Sequence, residues 1–282
     1  MLKVMNRIFL LILLLLPIAA HAQSMALAPA RFELEMQPGT ERTVVVNVDY
    51  RGEQDSAKPL RLVASLNDWS MTREGQVQFF PAGTRDGSAS SWMLYSPGEA
   101  AVNAGTTHQI RVTVSVPANA TPGDHLAALI VEQRPENLKA TANERQMIVR
   151  YRMASVFYIK VGGVTRKGDL RDLLAEVQPD GIVVKPVLAN GGNSVVRPTA
   201  SVTVLNSDGQ TVAEVPEGEA LPILAGSESL QSLKIEKQLS PGKYTVKYRV
   251  DFQTGQAPIE GVTDLVVHAT QIAPEALVAK KP

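Results

Sequence analysis

The sequence predicts an all-β protein made of two β-sandwich domains in tandem behind an exported leader. Three observations carry this. Apolar and polar residues alternate with period two along most of the chain. Pro-Gly and Asp-Gly pairs separate the alternating runs. Helical spacing is confined to residues 169–177, enough for two turns at most. Many short strands with such turns and almost no helix are the pattern of immunoglobulin-like sandwiches.

The elements follow in chain order. Lys3 and Arg7 precede an apolar run over 8–16, and Ala20-His21-Ala22 has the small-x-small form of a cleavage site. Residues 1–22 therefore read as a signal peptide cut after Ala22. The run is too short to span a bilayer, which takes about 20 apolar residues. The expected compartment is the bacterial periplasm. A first domain is expected over 23–162. Val44, Val46 and Val48 share one parity of the run 42–50, and Ile110, Val112, Val114 and Val116 share one parity of another. Each is a strand with one wet face. The run 126–131 is apolar on both parities, as in a central strand covered on both sides. Gly162-Gly163 and the polar stretch 166–169 mark a break. A second domain is expected over 163–270, with Tyr244, Val246, Tyr248, Val250 and Phe252 alternating along one strand. Residues 271–282 lack a strand pattern and read as a flexible tail. Pro38-Gly39, Pro97-Gly98, Pro122-Gly123 and Pro241-Gly242 suit type II turns.

Composition excludes several functions. Lys+Arg and Asp+Glu are equal at 28 each, so no basic excess points to nucleic acid. The chain has no Cys, hence no disulfide scaffold, thiolate metal site or thiol nucleophile. His108, His125 and His268 stand far apart, with no paired ligand motif. No Gly-x-Ser-x-Gly elbow or phosphate-cradling loop is present. The expectation is a protein with no metal, no cofactor and no enzymatic activity. Trp69 reads as a core anchor of the first sandwich, and Trp92 as core or as an exposed ligand platform.

The segment 146–160 (QMIVRYRMASVFYIK) suggests a binding function. Met147, Val149, Tyr151 and Met153 fall on one face of an extended strand, after the polar stretch 134–145. At a sheet edge such a strand invites another chain to pair with it, main-chain bonds giving affinity and alternate side chains giving specificity. A strand fully paired within its own sheet would show the same alternation.

Over roughly 28–160 the chain resembles the PapD-like periplasmic chaperones of pilus assembly. The resemblance rests on Pro29-Ala30-Arg31-Phe32, the Trp69 strand, Val102-Asn103-Ala104-Gly105 before Gln109-Ile110-Arg111-Val112, the run LIVEQRP at 129–135, and Val156-Phe157-Tyr158. It implies two immunoglobulin-like domains in an L. It also implies pilus subunits lacking a last strand as partners, which borrow a strand from the first domain. In that family two basic residues in the cleft hold the subunit's C-terminal carboxylate. Arg31 matches the first of them. Register from Phe157-Tyr158 puts Ser155 at the second, so the nearest candidates become Arg152 and Arg150. The second domain resembles the family only as a small β-domain. An outer-membrane usher is the further partner implied, and an exposed edge would let the free protein self-associate. The alternative reading is a non-enzymatic envelope module that binds carbohydrate or protein.

Overall fold

In the computed structural model, residues 24–51, 59–134 and 151–268 are described. The first 22 residues, Met147, Val149, Arg150 and the tail lie outside them. The protein is all-β, with a single 3-10 turn at Ser90–Trp92 among the described residues.

Ten strands build the first sandwich: β1 (Ser24–Ala28), β2 (Arg31–Met36), β3 (Glu41–Arg51), β4 (Leu60–Met71), β5 (Val77–Pro81), β6 (Met93–Ser96), β7 (Glu99–Val102), β8 (Thr106–Ser115), β9 (Gly123–Arg134) and β10 (Arg152–Val161). One sheet runs β1-β3-β8-β6; the other runs β2-β10-β9-β4-β5, with β7 also on β4. The chain crosses from the first sheet to the second at Pro29, between β1 and β2. Period-two alternation puts Val46, Val48, Ile110, Val112 and Val114 inside, facing Leu62, Leu129, Val131, Phe157 and Ile159 from the other sheet. Each such fully buried side chain contributes about 1.5–3 kcal/mol.

Eight strands build the second sandwich: β11 (Gly168–Gln178), β12 (Gly181–Asn190), β13 (Thr199–Leu205), β14 (Thr211–Glu219), β15 (Glu228–Leu230), β16 (Leu233–Ile235), β17 (Gly242–Asp251) and β18 (Ile259–Val267). The sheet of β11, β12, β15 and β16 packs on the sheet β14-β13-β17-β18. Val202, Val204, Val246, Tyr248 and Val250 fill its core.

Three local expectations are corrected. The helical spacing at 169–177 belongs to strand β11. Its pairing with β12 slips between Leu170 and Asp172, and this bulge puts Leu170 and Leu173 against the same core despite their helix-like interval. Of the four Pro-Gly pairs, Gly39 (φ 77°) and Gly123 (φ 126°) have positive φ, whereas Gly98 and Gly242 do not. Trp69 is buried, but not in the core of the first sandwich. On β4, Leu62 and Ala64 point inward, so Trp69, of opposite parity, points outward. There it joins Ala128 and Tyr158 of the first sandwich and Val195 and Leu224 of the second in a separate apolar cluster. Its indole meets the Tyr158 ring edge-on at 5.0 Å. Trp92 is half-buried against the first core, its ring 4.3 Å from that of His125.

Polar bonds complete this joint. Asp124 N–H donates to Asn193 O (2.8 Å), and Val195 N–H donates to Asp124 Oδ2 (2.7 Å). Leu230 N–H donates to Arg73 O (2.7 Å) beside an Arg73–Glu228 ion pair (3.2 Å). Gly123 allows the close approach: a Cβ there would lie 2.8 Å from Asn193 O.

Candidate functional site

Strand β10 carries Arg152 and Met153 of the candidate residues. Met153, Ser155, Phe157, Ile159 and Val161 alternate toward the first core; Phe157 stacks on Phe32 at 4.7 Å. Arg152, Val156, Tyr158 and Lys160 occupy the outer face, which turns toward the second sandwich through Tyr158.

The two edges of β10 are used differently. Its pairing with β9 runs the whole length, from Arg152 opposite Glu132 to Val161 opposite Gly123. Its parallel pairing with β2 starts only at Val156, opposite Arg31. The cause is the sheet crossing at Pro29, since residues before it belong to β1 in the other sheet. The crossing is tied to β10 by Ser155 Oγ donating to Pro29 O (2.7 Å) and Val156 N–H donating to Ala30 O (2.9 Å). Above that point, residues 152–155 have no strand on the β2 side among the described residues. Gln133 N–H of β9 donates to Tyr151 O, so odd positions face β9, while Val156 faces β2. By that alternation the main-chain groups of Arg152 and Ala154 face the open side.

A second feature lies below this edge, in an open cleft of about 1070 Å³ lined by Arg31 and Arg197, with Leu221, Leu230, Glu74 and Glu219 on its walls. Arg31 and Arg197 meet on one carboxylate. Glu33 Oε1 accepts from Arg197 Nη2 (2.8 Å) and lies 3.4 Å from Arg31 Nε, and Glu33 Oε2 accepts from Lys160 Nζ (2.6 Å). Arg197 also stands over the Tyr158 ring at 5.4 Å. Burial pushes the Glu33 carboxyl up, but the Lys160 hydrogen bond and the Arg197 charge outweigh it and hold the pKa below its ordinary value. Burial raises the Tyr158 hydroxyl, against the opposing pull of Arg197.

The sequence-derived candidates are distributed as follows. Arg31 begins β2, half exposed, and lines the cleft. Arg152 is on the same face of the sheet but four positions up β10 from the residue opposite Arg31, about 13 Å along the strand. Its Nε pairs with Glu132 Oε1 at 2.9 Å, and its guanidinium lies 5.9 Å from the centre of the Phe79 ring. The structure therefore does not bring Arg152 beside Arg31. Ser155 is fully buried and holds the sheet crossing. Tyr151 is exposed at the start of the open edge, and Met153 is half-buried against the first core. Met147 and Val149 precede them, outside the described residues. Arg197 and Glu33 were not singled out by sequence reasoning. Arg197 comes from the second sandwich, and its only local signature is a basic residue between Val196 and Pro198.

Among the described residues no three His, Asp or Glu side chains gather as a metal site. None of the described helices is long and apolar enough to cross a membrane.

No protein-family model matches the sequence, and no curated protein matches it. Among solved structures, the chain is similar to one from the chaperone–tip adhesin complex of CFA/I fimbriae biogenesis, with a TM-score of 0.45 and 11% identity, covering 85% of this chain and 98% of that one. It is also similar to one from the CsuC–CsuE chaperone–tip adhesion subunit complex of Acinetobacter baumannii (TM-score 0.43, 14% identity, 84% and 97% covered). A third is from the Salmonella enterica SafA pilin–SafB chaperone complex (TM-score 0.41, 14% identity, 88% and 99% covered). Each of these matches extends over most of this chain.

Proposed function

We propose that this protein is a periplasmic assembly chaperone that lends the upper part of β10 to fibre subunits lacking a strand. The observation that carries the reading is the one-sided pairing of β10: residues 152–154 pair with β9 and, among the described residues, with no strand on the other side. A subunit strand adding there would satisfy the main-chain groups of Arg152 and Ala154, and upstream side chains would enter its groove. The exposed Tyr151 and the alternating Met147 and Val149 are the side chains this reading assigns to the groove.

Arg31 is the anchor for the subunit's C-terminal carboxylate, with Arg197 in place of Arg152 as the second guanidinium. A guanidinium fork holds a carboxylate through two charge-assisted bonds, and both arginines face the same open cleft. Arg152, held by Glu132 further up the strand, instead flanks the lent segment.

Co-purification with a fibre subunit tests the strand. Val149→Glu would place a carboxylate in an apolar groove, a cost of several kcal/mol, so a folded variant is expected to lose the subunit. Normal capture by a Val149→Glu protein with an unchanged circular dichroism spectrum overturns the strand-lending reading.

A further inference from the structure

We infer that Glu33 is a built-in competitor for the carboxylate that enters the cleft. The inference rests on the reading that a chain terminus binds at Arg31 and Arg197. One carboxylate serves three cations, and its two oxygens are used differently. Oε2 faces Lys160, whose side chain is only 9% exposed, whereas Oε1 faces the two cleft arginines, which are 54% and 34% exposed. Each arginine is joined to Glu33 through a single nitrogen, Arg31 Nε and Arg197 Nη2. A guanidinium has five N–H donors in a planar fork, so much of each fork remains for a second carboxylate.

The incoming group has the same chemistry as the one already there. A terminal carboxylate would draw both arginines off Oε1, leaving Glu33 paired with Lys160 alone. In the free protein Glu33 engages one nitrogen of each guanidinium beside a wide cleft. A carboxylate arriving without other contacts has to displace it for little gain. A terminus carried by a strand pairing along β10 brings main-chain bonds to that contest. Glu33 thus raises the threshold for binding and favours termini that also engage the open edge. Glu74 and Glu219 on the cleft walls add to the discrimination against loose anions by like charge.

The test uses the full chain and a synthetic hexapeptide of alternating valine and threonine ending in phenylalanine, as free acid and as amide, with affinity measured by calorimetry. The free acid is expected to bind wild type more tightly than the amide. Glu33→Gln should tighten the acid on the order of tenfold, as loss of one competing charge contact implies, and leave the amide unchanged. Adding Arg31→Ala should abolish that gain. Because Glu33→Gln leaves the buried Lys160 with a weaker partner, Glu33→Gln/Lys160→Met serves as the folding-neutral variant and should show the same gain. An acid that outbinds the amide in wild type but gains nothing in either Glu33 variant overturns the competitor and leaves the terminus reading standing. Equal binding of acid and amide by wild type and both variants, or binding of neither, overturns both.

Discussion

At the scale of single residues, Glu33 connects stability to pH. Its folded pKa lies below its ordinary value of 4.5. Its contribution is therefore complete above that value and is lost as pH falls through the depressed folded pKa. Glu33→Gln should be less stable than wild type at neutral pH. The gap between their urea midpoints should close progressively below pH 4.5. Taking the difference between the two proteins removes Asp68 and Glu99, which are also held low and lose their contributions in the same acid range. A gap of constant size down to the lowest pH at which both fold would show that the carboxylate's charge is not what matters. Arg31 was singled out only through the resemblance carried by Pro29-Ala30-Arg31-Phe32. Glu33 and Lys160 read as ordinary outward polar positions of β2 and β10, because alternation says which face a residue takes and not what waits opposite it.

At the scale of elements, β10 offers a sharp contrast. Proline has no N–H, so its effect in a strand depends on which neighbour that N–H served. Ala154 faces the open side and Met153 faces β9. Ala154→Pro should keep the fold, because its N–H serves no strand among the described residues, and should lose strand addition. Met153→Pro should cost about 3 kcal/mol or more by removing a ladder bond from a paired edge. Chemical denaturation and subunit co-purification read the two effects. Subunit capture at wild-type level by a folded Ala154→Pro protein would mean that the open edge is not the docking edge. The alternation in 146–160 showed a strand with two distinct faces. It did not show which edge was free, because side-chain parity is independent of main-chain partners. The bulged β11 is the converse case, where one slipped register makes a strand imitate helical spacing.

At the scale of the whole molecule, the two sandwiches are joined by a packed interface. Trp69, Tyr158, Val195 and Leu224 bury one another, and Asp124 and Asn193 bond across the joint. Gly123 is a close backbone-to-backbone approach within it, with φ 126° and the Asn193 carbonyl oxygen 2.8 Å from where a Cβ would sit. Gly123→Ala is expected to cost about 1–3 kcal/mol in strain and to loosen the joint. Thermal unfolding should broaden or split, and small-angle scattering should show a larger radius of gyration than wild type. An unaltered melting curve and scattering profile would show that the contact yields without consequence. A loosened joint would also move Arg197 relative to Arg31, so terminus binding should weaken even though neither arginine is changed.

Period-two alternation, Pro-Gly and Asp-Gly turns and the near-absence of helical spacing were enough to predict an all-β, two-sandwich protein, because burial of one strand face is a local property written in consecutive residues. The cleft was not legible in that way. Arg31 and Arg197 come from different sandwiches, and the carboxylate between them lies two residues from one and far from the other in sequence. Trp69 was legible as buried, but its neighbours include Val195 and Leu224 of the other sandwich. The free edge of β10 depends on where β2 begins, and that is set by the sheet crossing at Pro29. Tertiary structure decided these points, since each depends on which distant segment comes to lie beside a residue.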